Sequence, residues 1–337
     1  MLAPETMTDH RNTVATLTAS AMTALAAGNI DLALARFEAA RRLWPAEPGL
    51  LKTLAALYLR QGRWAEAWSA AETGLHLLSG DPGFQDERLA AMAAGGFVDA
   101  ALTLARQWAA SDPDDPQAQY RLGSLLLRTG DTAGAAAALT RALAANPDWP
   151  DALSAAAETA FRQGRYDDSR RMLDHAVALE PENRSLRMAR ATTLLSLGLW
   201  QQGLEDYEYR LRPGPQPAIE RRLDLPRWQD EDLRGRGLLV VAEQGIGDQL
   251  RLARDLMTLK TLCRNLVVEC EPRLVPLFRR SLPGVMVRPS VDRREGRRHV
   301  FDYGWLADCG PLDFHIETGS VMLRLCRRGL MPDRPIP

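Results

Sequence analysis

Glycine recurs along this chain with a strict spacing of 34 residues, and this period limits the fold more than any other feature. The series is Gly28, Gly62, Gly96, Gly130, Gly164 and Gly198. A proline series has the same period, at Pro48, Pro82, Pro116 and Pro150. Glycine permits the positive φ that closes many helices, and proline suits a first helical turn. Each unit is therefore predicted to be a helix, a glycine turn and a second helix.

Side-chain size repeats with the same period. A small residue stands five positions after each glycine, at Ala33, Ala67, Ala101, Ala135, Ser169 and Gly203. Such small residues let the two helices of a pair approach closely. One helix pair cannot bury its apolar face alone, so the units are predicted to stack into an all-α solenoid.

This register resembles the tetratricopeptide repeat (TPR), which has a 34-residue helix-turn-helix unit. The resemblance covers residues 14–211 as six units that begin near residues 14, 48, 82, 116, 150 and 184, after a flexible N-terminus at 1–13. The third unit departs from the pattern with two glycines at 95–96. The sixth unit is interpreted as a transition into the next domain.

The resemblance implies that the first helix of each pair lines a concave groove that binds a protein or peptide. In this register the groove residues are Lys52, Arg60, Tyr120, Arg128, Glu158 and Arg162. A mildly basic groove for an acidic or extended peptide is one interpretation, and a solvated helix face is the other. Some TPR glycosyltransferases carry an asparagine ladder here. The equivalent positions of this chain contain none, and two of them are Glu87 and Arg121.

The period changes after residue 211. Residues 212–237 begin with RPGPQP and are predicted to be a linker. Strands are predicted at 237–242, 266–270 and 285–289, with a fourth at 299–304, and helices are predicted between the first three. Strands that alternate with helices indicate a parallel sheet. Residues 238–337 are thus predicted to be a partial α/β lobe of Rossmann type.

The turn after the first predicted strand reads EQGIGD, at residues 243–248. Ligands of parallel sheets bind beyond the carboxyl ends of the strands, where this turn is expected. Gly245 and Gly247 would let a ligand approach the backbone, and Asp248 could accept a proton from a hydroxyl nucleophile. The alternative is that Asp248 only caps the following helix.

Several blocks together resemble TPR-linked, heptosyltransferase-related GT-B glycosyltransferases. They are EDYEYRL (205–211), PRW (226–228), LLVVAEQGIGDQLRLARDL (238–256), FDYGWL (301–306) and HIETGS (315–320). The resemblance implies sugar transfer from a nucleotide sugar to a hydroxyl acceptor, without an obligatory metal. It implies that Asp248 is the catalytic base. The implied substrate-binding residues are Gln244, Gly245, Gly247, His315, Gly319 and Ser320.

The chain ends at Pro337, about 100 residues after the first predicted strand. Members of that family bind the donor mainly in a second lobe, which needs more residues than remain. We therefore expect that this polypeptide lacks the donor pocket and is not a competent transferase alone. A nucleotide-sugar donor is the one small-molecule requirement expected of an active form, and no other cofactor is predicted.

Two other functional interpretations remain open. In the first, the chain is a noncatalytic TPR adaptor whose α/β region caps the array. In the second, which is weaker, the glycine turn binds a dinucleotide and Glu269 contacts its ribose, although Leu250 replaces the third glycine of that fingerprint.

Composition and charge exclude several other classes. The formal net charge is −1, which gives no indication of a nucleic-acid partner. No run of apolar residues is long enough for a membrane span, and the N-terminus lacks the features of a signal peptide. The four cysteines show no CxxC spacing, so no metal site is predicted. A cytoplasmic location is expected.

Overall fold

The computed structural model describes residues 4–212, 219–243, 245–295 and 298–330. The chain divides into two compact units, Met1–Glu180 and Pro181–Pro337. Part of the predicted linker, residues 213–218, lies outside the described residues.

The described part of the first unit consists of five helix pairs, which confirms the predicted solenoid. The helices are α1 (Pro4–Ala26), α2 (Ile30–Leu43), α3 (Pro48–Arg60), α4 (Trp64–Leu77), α5 (Pro82–Ala94), α6 (Val98–Ser111), α7 (Pro116–Thr129), α8 (Thr132–Ala145), α9 (Pro150–Arg162) and α10 (Tyr166–Leu179).

Local sequence signals set the helix boundaries. Proline opens α3, α5, α7 and α9, and carboxylates of Glu47, Asp81 and Asp115 accept hydrogen bonds from the first backbone N–H groups of three of these helices. The periodic glycines follow the first helices with positive φ, as at Gly130, where φ is +88°. A residue with a Cβ would be strained there.

The small periodic residues lie where the helices of a pair meet. Ala33, Ala67, Ala101, Ala135 and Ser169 are fully buried. The first helices α3, α5, α7 and α9 also contact one another in succession, whereas the second helices of neighbouring pairs have few or no such contacts. The array therefore curves toward its first helices, and we name the surface of α3, α5, α7 and α9 on that side the inner face.

The second unit begins with the sixth helix pair, α11 (Arg184–Ser196) and α12 (Trp200–Tyr207). Its remaining elements are strands β1 (Ile219–Arg221), β2 (Gly237–Val241), β3 (Asn265–Cys270), β4 (Met286–Pro289), β5 (Asp292–Glu295), β6 (Arg298–Phe301) and β7 (Phe314–Glu317), with helices α13 (Ile246–Leu262), α14 (Val275–Ser281) and α15 (Val321–Arg327).

The strands form two sheets. The larger has the order β4-β3-β2-β7, and all of its strands are parallel. The smaller has the order β1-β6-β5. The prediction of a parallel α/β region is confirmed, and the strand predicted at 299–304 exists as β6, but it does not belong to the larger sheet. Residues 298–301 pair antiparallel with β5 in the smaller sheet, and the fourth parallel strand is β7.

Side chains of β2 alternate between two apolar layers. Leu238 and Val240 pack with Leu256 of α13 and Phe278 of α14, whereas Leu239 and Val241 face a second cluster that includes Tyr303. Both faces of the sheet are therefore buried, which explains the near-continuous apolar sequence of β2 and β3.

The sixth helix pair packs against the α/β region. Leu195, Trp200 and Leu204 share an apolar cluster with Met322 and Leu323 of α15. This packing agrees with its interpretation as a transition, and the compact unit begins at residue 181, not at 212. Our assignment of residues 14–211 as one repeat domain, with a linker at 212–237 and a lobe at 238–337, remains a proposal based on sequence periodicity.

Gly74 provides a test of packing in the first unit. A Cβ at this position in α4 would overlap the ring of Phe84, which is fully buried. We predict that Gly74→Ala lowers the free energy of unfolding by about 1–3 kcal/mol, although alanine favours helix. Urea denaturation followed by far-UV circular dichroism measures the change.

Gly49→Ala is the matched control, because its Cβ would meet only the Glu47 carboxylate, at 3.4 Å. We expect Gly49→Ala to leave stability unchanged or slightly raised. Stabilisation by Gly74→Ala would contradict the packing described for this interface.

Candidate functional site

The inner face of the first unit carries a row of arginines that bond across neighbouring pairs. Arg121 donates to both carboxylate oxygens of Asp86, at 2.6 Å each. Arg128 donates to the carbonyl of Ala93 at 2.8 Å, and Arg162 to that of Leu127 at 2.9 Å. Each partner lies 35 residues earlier, so the contacts repeat with the solenoid. The last two place a cation at the C-terminal end of a first helix, which the helix dipole favours.

The predicted groove residues differ in how accessible they are. Arg128 is exposed, and Glu158 and Arg162 are exposed and pair with each other at 2.5 Å. Arg60 is also exposed. Lys52 is half-buried and pairs with Asp81 at 2.9 Å.

Tyr120 packs against an aromatic side chain of its own repeat. Its ring centroid lies 4.6 Å from that of Trp149. Burial raises the pKa of its hydroxyl above the usual value, so the group is protonated at neutral pH. Tyr120 therefore offers the groove less contact surface than its position in the register suggests.

The EQGIGD turn joins β2 to α13 in the second unit. Gly245 is the N-cap of α13, and no side chain caps this end among the described residues. The alternative interpretation of Asp248 as the cap is therefore wrong, because Asp248 lies inside the first helical turn and its carboxylate is 3.4 Å from Arg251. Gln244, predicted to bind substrate, lies outside the described residues.

The two glycines of the turn have no packing role in the described part of the chain. Gly245 has φ of −62°, and neither glycine has positive φ. A Cβ on either glycine would meet no described atom within 4 Å. The space beside the turn is therefore open to another molecule.

A buried charge network lies at the carboxyl ends of β2 and β7. Arg210 donates to both oxygens of Glu243, at 2.7 and 2.9 Å, and to Glu208 at 2.8 Å and Ser320 at 2.7 Å. Burial alone would lower the pKa of Arg210, but the hydrogen bonds and charges of the two glutamates raise it above its usual value. Arg210 is thus held in the charged form.

Arg227 extends this network. It donates to Glu208 and Glu317 at 2.7 Å each, and to the Ser320 hydroxyl at 2.9 Å. Burial would raise the pKa of Glu208, but hydrogen bonds from Arg227, Ser320 and Arg210 hold it below its usual value. The network is therefore a set of paired ions in which two arginines serve three carboxylates.

The structure places three predicted site residues in or beside this network. Ser320 is fully buried, and it donates to Glu208 at 2.6 Å while accepting from both arginines. A Cβ on Gly319 would lie 2.9 Å from the Arg210 guanidinium, so glycine allows that close approach. His315 directs Nδ1 to the carbonyl of Leu225 at 2.7 Å. Their assignment to substrate binding remains a prediction.

Sequence reasoning missed the arginines that hold the network together. Arg210 and Arg227 stand in two of the quoted blocks, EDYEYRL and PRW, but no role was assigned to them. Glu243 likewise had no assigned role. Of these two blocks, only EDYEYRL combines glutamate with arginine, and PRW contains no glutamate, so the blocks themselves did not signal the pairing.

Glu269 has a structural environment that excludes the predicted ribose contact. Its side chain is fully buried at the end of β3, accepts from the Ala242 N–H at 2.9 Å, and pairs with Arg221 at 3.1 Å. Burial raises its pKa, and Arg221 opposes that effect. The dinucleotide interpretation is therefore left without the acidic residue that was predicted to contact the ribose.

A cavity of about 400 Å³ opens beside the EQGIGD turn. One wall is apolar, with Leu195, Trp200, Leu204 and Met322. The other is polar, with Tyr207, Asp248, Arg251 and Gly319. Burial raises the pKa of the Tyr207 hydroxyl above its usual value, so this group is a hydrogen-bond donor at neutral pH.

The described ranges were also compared with the requirements of a metal site and of a membrane-spanning helix. Within them, no group of three or more histidine, cysteine or acidic residues is arranged to hold a metal ion. None of the described helices combines the length and apolar character required to cross a bilayer.

The fold and the inner face together define the class of the N-terminal region. Residues up to about 200 form a TPR solenoid, which a small α/β region with a parallel sheet follows. Residues 24–84 and 126–193 match a sequence family described as tetratricopeptide repeat, and residues 89–150 match a second family with the same description.

A sequence relative is Protein FlbA of Caulobacter vibrioides (strain ATCC 19089 / CIP 103742 / CB 15). The two chains are 33% identical over 174 residues, which cover 49% of this chain and 29% of FlbA. The match thus spans less than a third of that relative.

Two solved structures are similar to this chain. One is TTC0263, a thermophilic TPR protein of Thermus thermophilus, at 25% identity and a TM-score of 0.48, covering 54% of this chain and 99% of that one. The other belongs to the APC/C hetero-tetramer Cut9–Hcn1, at 17% identity and a TM-score of 0.50, covering 60% of this chain and 40% of that one. The second similarity shows the solenoid fold alone.

Arg210 provides a test of the charge network. Its side chain is 4% exposed and that of Glu243 is 12% exposed. We predict that Arg210→Met destabilises the second unit by about 3–5 kcal/mol, because buried carboxylates lose their counter-ion. Hydrogen-exchange mass spectrometry on peptides from β2 and β3 measures the loss.

Arg212→Met is the matched control two residues away, since Arg212 pairs with Glu182 at the surface. Its expected cost is about 0–1 kcal/mol. Equal effects of the two substitutions would contradict a stabilising role for the buried network.

Proposed function

We propose that this chain is a TPR adaptor that binds an extended segment of a partner protein along its inner face. The observation that carries the proposal is the pair of exposed arginines, Arg128 and Arg162, at equivalent positions of successive repeats. Each guanidinium is anchored by one N–H to a helix-end carbonyl. Arg162 also donates to Glu158 at 2.5 Å. Because these anchors limit side-chain motion, little conformational entropy is lost when the remaining N–H groups bind a ligand.

The chemistry of this surface favours a segment that carries carboxylates or exposed backbone carbonyls. Arginine presents five N–H donors in a planar arrangement and remains charged at all physiological pH values. Two such groups one repeat apart suit an extended chain with acidic residues. Arg60 stands at the equivalent position of the second repeat, at the end of α3.

A random peptide library displayed against the 337-residue protein tests this proposal. We predict that selected peptides bind the double variant Arg128→Ala/Arg162→Ala at least tenfold more weakly, because each charge-assisted hydrogen bond contributes about 1.5–3 kcal/mol. Fluorescence anisotropy of labelled peptides measures the affinities.

The control is Arg106→Ala/Arg171→Ala, which removes two exposed arginines from the second helices α6 and α10. A change of less than twofold is expected. The adaptor proposal fails if no peptide is selected, or if binding is indifferent to the inner-face substitutions.

A second proposal retains the transferase interpretation for the α/β region. In chain order, the strands of the larger sheet run third, second, first, fourth. Doubly wound sheets bind ligands where the strand order reverses, at the carboxyl ends of the central strands. The cavity beside β2 and β7 lies at that position, and residues from three of the quoted blocks line it: Tyr207, Asp248 and Gly319.

In this second proposal Asp248 accepts the proton of an acceptor hydroxyl, beside the open space next to Gly245 and Gly247. The proposal requires nucleotide-sugar turnover that falls at least about 100-fold in Asp248→Asn, as expected for loss of a general base. Asp232→Asn, which alters an exposed carboxylate paired with Arg234, should retain the rate. Absence of turnover from the folded protein, or equal rates in both variants, would count against it.

A further inference from the structure

Glu87 is an unusual carboxylate on the inner face. It lies in α5, one repeat before Arg121, and its side chain is half-buried. Its Oε2 atom is fully covered, and no residue within 4–212, 219–243, 245–295 or 298–330 provides a hydrogen-bond partner for it. Burial, with a smaller contribution from Asp86, raises the pKa of Glu87 to about 7, and Arg121 opposes this. A covered acceptor without a donor is costly in a folded protein.

The neighbouring cations do not satisfy this oxygen: both face other carboxylates, and the covered Nε of Arg88 has no hydrogen-bond partner among the described residues either. Arg121 of α7 uses Nε and Nη2 to bind both oxygens of Asp86. Arg88, next to Glu87 in the chain, lies 3.7 Å from Glu72 of α4. Because the side chain as a whole is only half-buried, a donor from outside the unit can reach the carboxylate through its other oxygen, Oε1, which is not among the covered atoms.

We propose that Glu87 is a specificity-determining residue of the inner face and binds a lysine or arginine side chain of the partner segment. This inference rests on the adaptor function proposed above. A cationic side chain supplies both a hydrogen-bond donor and the opposite charge, whereas a backbone N–H supplies only the donor.

The flanking residues define the rest of the segment. Arg128 and Arg162 lie in α7 and α9, on the side of later repeats, and favour acidic residues or carbonyls. The partner segment therefore combines one basic residue, which contacts Glu87, with acidic residues to one side of it. This charge pattern distinguishes it from a uniformly acidic peptide, which Glu87 would repel.

A double-mutant cycle tests the assignment. Peptides are selected from the displayed library against the 337-residue chain, and a selected peptide with a basic residue is synthesised in that form and with glutamine at that position. We expect Glu87→Gln to weaken binding of the basic peptide at least tenfold and that of the glutamine peptide less than twofold. Fluorescence anisotropy measures all four affinities.

Asp99→Asn is the control, because Asp99 is an exposed carboxylate of the second helix α6, away from the inner face. It should change both affinities less than threefold. Glu87→Gln keeps the side-chain size, removes the negative charge and replaces one acceptor oxygen with an NH₂ donor, so this variant is expected to fold.

The outcomes separate this inference from the adaptor proposal. If no peptide binds the inner face, both fail. If peptides bind through Arg128 and Arg162 but contain no basic residue coupled to Glu87, the adaptor proposal stands and this inference is overturned. Equal weakening of both peptides by Glu87→Gln would also overturn it.

Discussion

The buried ion pair between Arg210 and Glu243 is the contact on which the second unit depends. Arg210 also contacts Glu208 and Ser320, so a single side chain joins segments that are up to 110 residues apart in sequence. Charges removed from water are costly unless each is paired and hydrogen-bonded. In the observed arrangement every carboxylate of the network has an arginine partner, and these contacts hold together the sixth helix pair, β2 and β7.

This arrangement explains why the last repeat differs from the others. The chain continues its 34-residue period through Gly198, yet α11 and α12 bury their apolar side chains against α15 and not in a continuing series of equivalent repeats. The same packing creates the cavity beside the EQGIGD turn. The sixth helix pair thus also lines a candidate ligand site.

The two candidate sites differ in chemistry. On the inner face, arginines anchored across repeats stand near a carboxylate with one oxygen unsatisfied within the described residues, which is suited to an extended segment with charges of both signs. In the α/β unit, a cavity combines apolar and polar walls. Adaptor binding needs only the first surface, so the adaptor function does not depend on any chemistry at Asp248.

Local signals made much of this fold predictable. The glycine and proline series specify helix ends within each repeat, and β2, β3 and β4 were predicted because their apolar runs are short and buried. Strand β7 was missed because FHIE alternates apolar and polar residues over only four positions, and its pairing with β2 joins residues that are far apart in sequence, such as Leu238 and Phe314. Nor could the sequence show that Glu269 is buried against Arg221, or that Arg121 engages Asp86 and not Glu87.

We infer that residues 184–207 fold with the α/β region as one cooperative unit. Native-state hydrogen exchange of the wild-type protein across low concentrations of denaturant tests it most directly. We predict that amides of α11 and α12 open with the same free energy and denaturant dependence as those of β2 and β3. Exchange of α11 and α12 together with α9 and α10, at a free energy different from that of the strands, would contradict it.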